Sequence, residues 1–219
     1  MVDLIHGLTA ERVAANLERV REQIAAVGRD PAEVEILAAV KYLPAAELEA
    51  LAEGGVTVVG ENRAQELLAK SAALPGRFTW DFIGQLQSRK VRDLAGHVRY
   101  IHSVASESVL AQLARHGTPE TRVLIEVNVA GEAGKSGIAP ADLPGFLERC
   151  AVPVVGLMTM PPLAARPEDN RPHFAALARL AAQHGLSELS MGTSQDYAVA
   201  AQEGATIVRL GTTLYAGAP

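Results

Sequence analysis

The feature that most constrains the fold is a regular alternation of short apolar runs with amphipathic segments along all 219 residues. Eight runs have the length and composition of strands, and they recur at intervals of roughly 20 to 35 residues, as βα units do. They cover residues 34–40, 56–60, 78–84, 98–104, 122–129, 153–160, 186–192 and 206–211. Because these runs are apolar on both faces, the pattern favours parallel strands that are covered on both sides.

Helical periodicity fills the segments between these runs, at residues 9–27, 45–55, 64–74, 88–95, 106–116, 142–150, 171–184 and 195–203. In the first segment Thr9 is the predicted N-cap, and Gly28 follows the last turn. Eight βα units favour a single closed (β/α)8 TIM barrel over an open sheet of six or seven strands. We expect one barrel domain over residues 1–219, with the helix at 9–27 closing the outer ring.

Composition argues against several functional classes. The net charge is −5 and the pI is about 5.7, whereas nucleic-acid-binding proteins usually carry a basic surface. The lone Cys150 allows no intrachain disulfide, and no apolar run approaches ~18 residues, so we expect a cytoplasmic protein with no membrane contact. The His residues form no ligand-like pair, which argues against a metal site.

Familiar catalytic motifs are absent from the sequence. The stretch at 131–136, GEAGKS, ends like a phosphate-binding P-loop, but its spacing is wrong, and Gly137 and Pro140 follow where a helix should begin. Neither G-x-S-x-G nor G-x-G-x-x-G occurs. Serine hydrolases and dinucleotide-binding proteins are therefore poor matches.

Reactive groups in such barrels stand where strands end and βα loops begin. At these positions the chain has a ring of polar residues that contains a single lysine, Lys41. Because Lys41 directly follows the apolar run LAAV, we expect a desolvated ammonium whose neutral amine attacks an aldehyde to form a Schiff base. The alternative is a lysine that reaches solvent or pairs with Glu61.

The last two loops predict a phosphate site. Gly192, Thr193 and Ser194 precede a predicted helix whose free N–H groups would bind an anion, and Gly211-Thr212 ends the eighth strand. Barrel phosphate sites are often built from these two loops. The alternative for Ser194 is ordinary helix capping. Arg209 shares a strand face with Gly211 and should point into the barrel, where it forms either a structural ion pair or a hydrogen bond to a ligand.

A series of sequence blocks carries a family resemblance from about residue 34 to the end. They are AAVKYLP, VGENRAQEL, WDFIGQLQSRK, IHSV, VLIEVNVAGEAGKSG, VVGLMTM and LSMGTSQDYAVAAQEGATIVRLGTTLYAG. In this order they resemble the pyridoxal phosphate homeostasis protein family, the YggS/PROSC-like proteins. These look like the barrel domain of alanine racemase without its second domain.

The resemblance implies that pyridoxal 5'-phosphate (PLP) is the cofactor and that it is held as an internal aldimine on Lys41. It places Asn62, Ile83, Gly84 and Met158 in the cofactor site. It also implies that Ser194, Gly211 and Thr212 bind the phosphate and that Arg209 faces the pyridine nitrogen. Three positions depart from the family pattern and are expected to affect only the rim around strand three, namely Asp81 for His, Arg89 for Asn and Thr193 for Met.

Three functions remain compatible with these residues. The leading hypothesis is a monomeric binding protein that holds, buffers and delivers PLP to apoenzymes, because the cofactor site is complete and the catalytic one is not. The second is a PLP-dependent amino-acid racemase, which needs an acid/base group on each face of its substrate. Tyr42, Tyr215 and Cys150 are not clear candidates for the second group. The third is a metal-independent aldolase that would be colourless when purified.

Overall fold

Eight parallel strands form a closed barrel in a computed structural model that describes residues 4–216. Each strand pairs with the next, and the last pairs with the first, so the barrel prediction is confirmed and the open sheet is wrong. The strands are β1 (Glu35–Ala39), β2 (Val58–Glu61), β3 (Thr79–Phe82), β4 (Tyr100–Val104), β5 (Arg122–Glu126), β6 (Val154–Met158), β7 (Glu188–Thr193) and β8 (Ile207–Leu210). The first and last three residues of the predicted range 1–219 lie outside the described residues.

The helices lie between the strands, as the periodicity predicts. They are α1 (Ala10–Ala26), α2 (Leu48–Glu53), α3 (Ala64–Ala73), α4 (Val91–Leu94), α5 (Glu107–His116), α6 (Leu143–Arg149), α7 (Arg171–Gln183), α8 (Tyr197–Gln202) and α9 (Thr212–Tyr215). The segment predicted as one helix at 88–95 is a 3₁₀ turn, Ser88–Lys90, followed by the single turn of α4. The GEAGKS stretch begins no helix, in agreement with its rejection as a P-loop.

Helix α1 packs against α2, α8 and α9. The Thr9 side chain accepts a hydrogen bond from the backbone N–H of Arg12, which confirms the predicted N-cap. The apolar face, Val13, Leu17, Val20 and Ile24, is buried against the barrel. Asn16 on the same helix donates to the carbonyl oxygens of Leu214 and Ala216 at 2.9 and 3.0 Å, and so fixes the chain after β8.

The barrel interior contains a small apolar cluster and several buried polar groups. Leu37, Val58 and Ile207 form the apolar cluster, with Ile83 and Tyr100 packed against it. Leu37 of β1 lies in register with Arg209 of β8. Since side chains alternate along a strand, Arg209 and Gly211 share the inward face. Within residues 4–216, no helix has the length and apolarity that a membrane crossing needs.

Candidate functional site

A cavity of about 300 Å³ opens at the carboxyl ends of the strands, where the sequence places the reactive groups. It brings together all of the predicted site residues except Met158. The lining residues are Ile5, Ala39, Lys41, Tyr42, Asn62, Ile83, Gly84, Met160, Thr193, Ser194, Arg209, Gly211, Thr212 and Tyr215. One cavity therefore joins a lysine, two glycine-bearing loops and a buried arginine.

Met158 was predicted to lie in the cofactor site, but it does not line this cavity. It is the last residue of β6, and its side chain is buried within the barrel. Met160, two residues further on, lines the cavity instead and places its sulfur 2.9 Å from Arg209 Nη2. Met158 lies within β6, whereas Met160 lies beyond the end of the strand and so reaches the opening.

Lys41 stands in the mouth of the cavity and is exposed, so the expected desolvation of its ammonium is wrong. The strand β1 ends at Ala39, and Lys41 lies in the turn that follows, outside the apolar wall. Its Nζ atom lies 4.8 Å from the ring centroid of Tyr42. A lysine in this position is free to meet an aldehyde that enters from solvent.

The lysine that pairs with Glu61 is Lys70, not Lys41. Lys70 Nζ of α3 donates to Glu61 Oε2 at 2.6 Å and to the Val40 carbonyl oxygen at 2.9 Å, and both side chains are buried. Glu61 also accepts the backbone N–H of Asn62 at 2.9 Å. This buried pair therefore holds the chain on either side of the cavity and leaves Lys41 without a carboxylate partner among residues 4–216.

Ser194 joins the two glycine-bearing loops. Its Oγ accepts the backbone N–H groups of Gly211 and Thr213 at 3.2 and 3.3 Å. Simple capping of α8 by Ser194 is wrong, since that helix begins only at Tyr197 and its N-cap residue is Asp196. For the same reason Ser194 does not lie on the first turn of α8, and the amides that it accepts belong to the N-terminus of α9, at Gly211 and Thr213.

Thr193 is one of the family departures, and it lines the cavity rather than lying near strand three. Its backbone N–H and its hydroxyl both donate to Asp196 Oδ1, at 2.7 and 3.0 Å. Asn170 donates to the other oxygen of Asp196 at 2.8 Å. The threonine is thus fixed by its neighbours, and the expectation that the departures affect only the rim around strand three is wrong for Thr193.

The space beside the two glycines of the site shows whether the cavity has room for a ligand. A Cβ atom added to Gly211 would make only ordinary van der Waals contacts, the nearest with the Ala39 carbonyl oxygen at 3.8 Å. A Cβ atom on Gly84 would lie 2.1 Å from the Asn62 carbonyl oxygen. Space for a ligand therefore remains beside Gly211, whereas Gly84 is required because the segments that follow β2 and β3 approach each other closely.

Arg209 points into the barrel, as predicted, and its hydrogen bonds are to neutral groups. Nη1 donates to the carbonyl oxygen of Ser190 at 2.7 Å and to its hydroxyl, and Nη2 donates to the Thr159 carbonyl oxygen at 2.9 Å and contacts the Met160 sulfur. A structural ion pair is not observed among residues 4–216. Since a guanidinium has five N–H groups, Nε–H remains available to the cavity. Burial lowers the pKa of Arg209 to about 10.

A chain of buried polar groups extends from Ser190 across the barrel interior. Ser190 Oγ lies 2.8 Å from His102 Nδ1, and His102 Nε2 lies 3.1 Å from Asp81 Oδ2. Asp81 then accepts Arg99 Nε at 3.0 Å, and Arg99 makes a bidentate pair with Glu35. Burial lowers the pKa of His102, so we infer a neutral ring that donates from Nε2 and accepts from the serine hydroxyl.

Asp81 therefore lies in the barrel interior, and its expected place on the rim of strand three is wrong. Its side chain is fully buried, between His102 and Arg99. Burial opposes ionisation, but hydrogen bonds from His102 and Arg99 outweigh it and lower the pKa of Asp81. The carboxylate fixes the ring of His102, which in turn fixes the hydroxyl that Arg209 binds.

Besides Met160, the cavity wall contains Ile5 and Tyr215, which were not among the predicted site residues. Ile5 lines the cavity because its backbone N–H donates to the Tyr42 carbonyl oxygen at 2.9 Å, and no pattern in the N-terminal segment signals this contact. Tyr215 is buried, and its hydroxyl donates to the Ala39 carbonyl oxygen at 3.1 Å. Tyr215 belongs to a sequence block that the family resemblance already contains, so its role could have been found there.

Comparison with known proteins agrees with this geometry. The alanine racemase N-terminal domain family matches residues 9–219. The pyridoxal phosphate homeostasis protein of Pseudomonas aeruginosa is 41% identical over 216 residues, which is 94% of each chain. The protein of the same name from Aquifex aeolicus is 40% identical and covers 94% of this chain and 96% of its own.

Solved structures extend the comparison. PipY of Synechococcus elongatus, solved with PLP bound, is 32% identical, has a TM-score of 0.78 and covers 93% of this chain and 99% of its own. Alanine racemase from Corynebacterium glutamicum has a TM-score of 0.74 at 15% identity, a likeness of fold alone. By these relatives and by its matched domain, the chain belongs to the pyridoxal phosphate homeostasis protein family.

Proposed function

We propose that this protein binds PLP covalently at Lys41 and holds, buffers and delivers it. The observation that carries the proposal is the single cavity in which an exposed lysine, the Gly211 loop and Arg209 converge. PipY, which shares the fold at 32% identity, has PLP bound in its structure. The relatives from Pseudomonas aeruginosa and Aquifex aeolicus are named for PLP homeostasis.

Each residue of the site has a separate task in this proposal. Lys41 Nζ supplies the amine, and the amides near Ser194, Gly211 and Thr212 receive the phosphate. Asn62, Ile83 and Gly84 form the wall on the β2–β3 side. When bound, PLP supplies an aldehyde that condenses with an amine and releases water. Any further reaction of the cofactor depends on the side chains that surround its pyridine ring.

Arg209 argues against strong catalysis of carbanion chemistry. A guanidinium donates a hydrogen bond but does not readily give up its proton, so Arg209 Nε would leave a pyridine nitrogen unprotonated. An unprotonated ring is a weaker electron sink. The hydroxyl of Tyr215 is already directed to the Ala39 carbonyl oxygen, and burial raises its pKa. The cavity thus offers binding groups without an evident second acid/base group.

Borohydride reduction tests the covalent attachment directly. Protein loaded with PLP is reduced, digested and analysed by mass spectrometry, and we expect the added mass on the peptide that carries Lys41. Lys41→Ala should lose the adduct yet retain weaker binding, since the phosphate loops remain. Lys41→Arg is the matched control that keeps a charge and cannot form the link. An adduct on Lys70, Lys90 or Lys135 in these variants would contradict the assignment.

Colour and turnover distinguish the proposed function from the two alternatives. A PLP carrier is yellow as purified, whereas a metal-independent aldolase is colourless. Racemisation of amino acids at an ordinary enzymatic rate, abolished by Lys41→Ala, would favour the racemase over the carrier. The absorbance spectrum before and after the addition of an amino acid, together with a chiral assay, gives both answers from one sample.

Three further expectations belong to this proposal. We place the protein in the cytoplasm on its single thiol, Cys150, whose pKa is raised by burial and which is therefore poorly reactive. We expect a monomer, which light scattering tests. The recipients are PLP-dependent apoenzymes, and activation of an apoenzyme faster by loaded protein than by an equal amount of free PLP would support direct delivery.

A further inference from the structure

A second cavity, of about 510 Å³, lies beside the first on the outer side of β3. It is formed by the start of α3, the chain after β3 and the single turn of α4. Its charged lining consists of Arg63, Arg89, Lys90, Arg92 and Asp93. Cavities that bind small molecules commonly have volumes of about 300–1,000 Å³, so the space suits a compact ligand.

The cavity is strongly cationic, although the chain has a net charge of −5. Asp93 is the one carboxylate in its lining, and it is shared by Lys90 Nζ at 3.3 Å and Arg92 Nε at 3.8 Å. Arg63 and Arg89 have no carboxylate within 4 Å among residues 4–216. Four cations around one anion repel one another, and an anionic ligand would relieve that repulsion.

Arg89 is already oriented by its neighbours. Its Nε donates to Gln87 Oε1 at 3.1 Å, which holds the guanidinium plane while both terminal nitrogens have no hydrogen-bond partner among the described residues. The family resemblance leads us to expect asparagine at this position, so the present chain carries an additional charge here. A planar guanidinium with two free nitrogens can bind two oxygens of a phosphate at once.

We propose that this cavity is a second anion site that takes a phosphate monoester, through Arg63, Arg89, Lys90 and Arg92. A phosphate monoester carries close to two negative charges near neutral pH, which suits the uncompensated cations better than a single carboxylate does. Ala64 and Gln65, the first two residues of α3, also line the cavity, and the N–H groups of a first helical turn have no partner within their helix. Concavity favours a small molecule over a flat acidic protein surface.

The second cavity shares a wall with the first, because Asn62 lines both. On the proposed function, on which this step rests, the ligand is a second molecule of phosphorylated vitamin B6 held next to the loaded site. A protein that exchanges its cofactor would then keep an incoming or outgoing phosphorylated molecule at the mouth. The anion site itself depends only on the charges described above.

Residue-resolved NMR locates the site. Protein loaded with PLP and reduced with borohydride, so that the first cavity is filled, is titrated with inorganic phosphate and then with pyridoxine 5'-phosphate, which has no aldehyde. We expect amide shifts at residues 63–65 and 87–93. The pair Arg89→Gln and Arg92→Gln should weaken binding by ~10-fold or more. The control pair Arg115→Gln and Arg179→Gln, on exposed faces of α5 and α7, removes the same charge and should leave binding unchanged.

Several results would overturn the proposal. Shifts confined to residues 194–195 and 211–213 would place phosphate in the first cavity only, and equal weakening by both variant pairs would indicate general charge attraction. Tighter binding of a poly-glutamate peptide than of either phosphate probe would assign the surface to an acidic protein. The proposed function fails separately, if borohydride reduction adds no mass to the peptide that carries Lys41. In that case the protein without borohydride treatment is titrated with the same phosphate probes.

Discussion

Lys70 Nζ lies 2.9 Å from the carbonyl oxygen of Val40, the residue that directly precedes the proposed cofactor lysine. The same ammonium lies 2.6 Å from Glu61 at the end of the neighbouring strand. Two lysines at one end of the barrel thus have opposite environments. Lys70 is buried and paired, and it anchors the backbone, whereas Lys41 is exposed and free to react.

Loss of this anchor should cost considerable stability. Lys70→Met leaves the Glu61 carboxylate buried without a charged partner, which typically costs about 3–5 kcal/mol. The double variant Glu61→Gln with Lys70→Met should recover much of that loss, because no charge remains buried. Urea unfolding of the single and double variants measures the difference. Equal destabilisation by both would show that the pair contributes packing rather than charge compensation.

The two glycines of the cavity should respond differently to alanine. Gly211→Ala meets no protein atom closer than 3.8 Å, so we expect an unchanged melting temperature and PLP binding weakened by ~10-fold, about 1.4 kcal/mol. Gly84→Ala places a methyl group against the Asn62 backbone and should lower the melting temperature. Calorimetry and titration with PLP separate the two effects. Destabilisation by Gly211→Ala would indicate a tighter backbone than we describe.

The hydroxyl of Ser190 should help to orient the guanidinium of Arg209. Ser190→Ala leaves His102 Nδ1 and one N–H of Arg209 without their partners, and unmade buried hydrogen bonds cost about 1–3 kcal/mol. We expect lower stability and a changed resonance for Arg209 Nε in the loaded protein. Ser108→Ala, an exposed serine on α5, serves as the control. An unshifted Nε resonance would show that the backbone contacts of Arg209 suffice to orient it.

Acid should weaken the contact between Glu47 and the N-terminal segment at Gly7 and Leu8. Hydrogen bonds from the backbone N–H groups of Leu8 and Gly7 lower the pKa of Glu47 below its ordinary value of 4.5. The contact is therefore complete at neutral pH and is lost as the pH falls through that lowered pKa. The amide shifts of Gly7 and Leu8 should titrate with a midpoint below 4.5, and Glu47→Gln should abolish the transition. A midpoint above that value would contradict the assignment.

The barrel and the ring of site residues could be predicted from the sequence because strand periodicity is a local property. The features that could not be predicted depend on where each strand ends and on its register with its neighbours. Met158 and Met160 differ by two residues, yet only the second lines the cavity. The exposure of Lys41 follows from a turn, and the burial of Asp81 follows from the register of β3 with its neighbours. Neither has a signal in composition or spacing.

The hydroxyl of Ser194 supplies an oxygen to the amides of Gly211 and Thr213 from within the protein. A phosphate that binds these amides competes with this internal acceptor as well as with solvent, so the net gain in hydrogen bonding is small. When the phosphate leaves, the serine satisfies the same donors again. Release of a phosphate from these amides would therefore leave no N–H group of Gly211 or Thr213 without a hydrogen-bond partner.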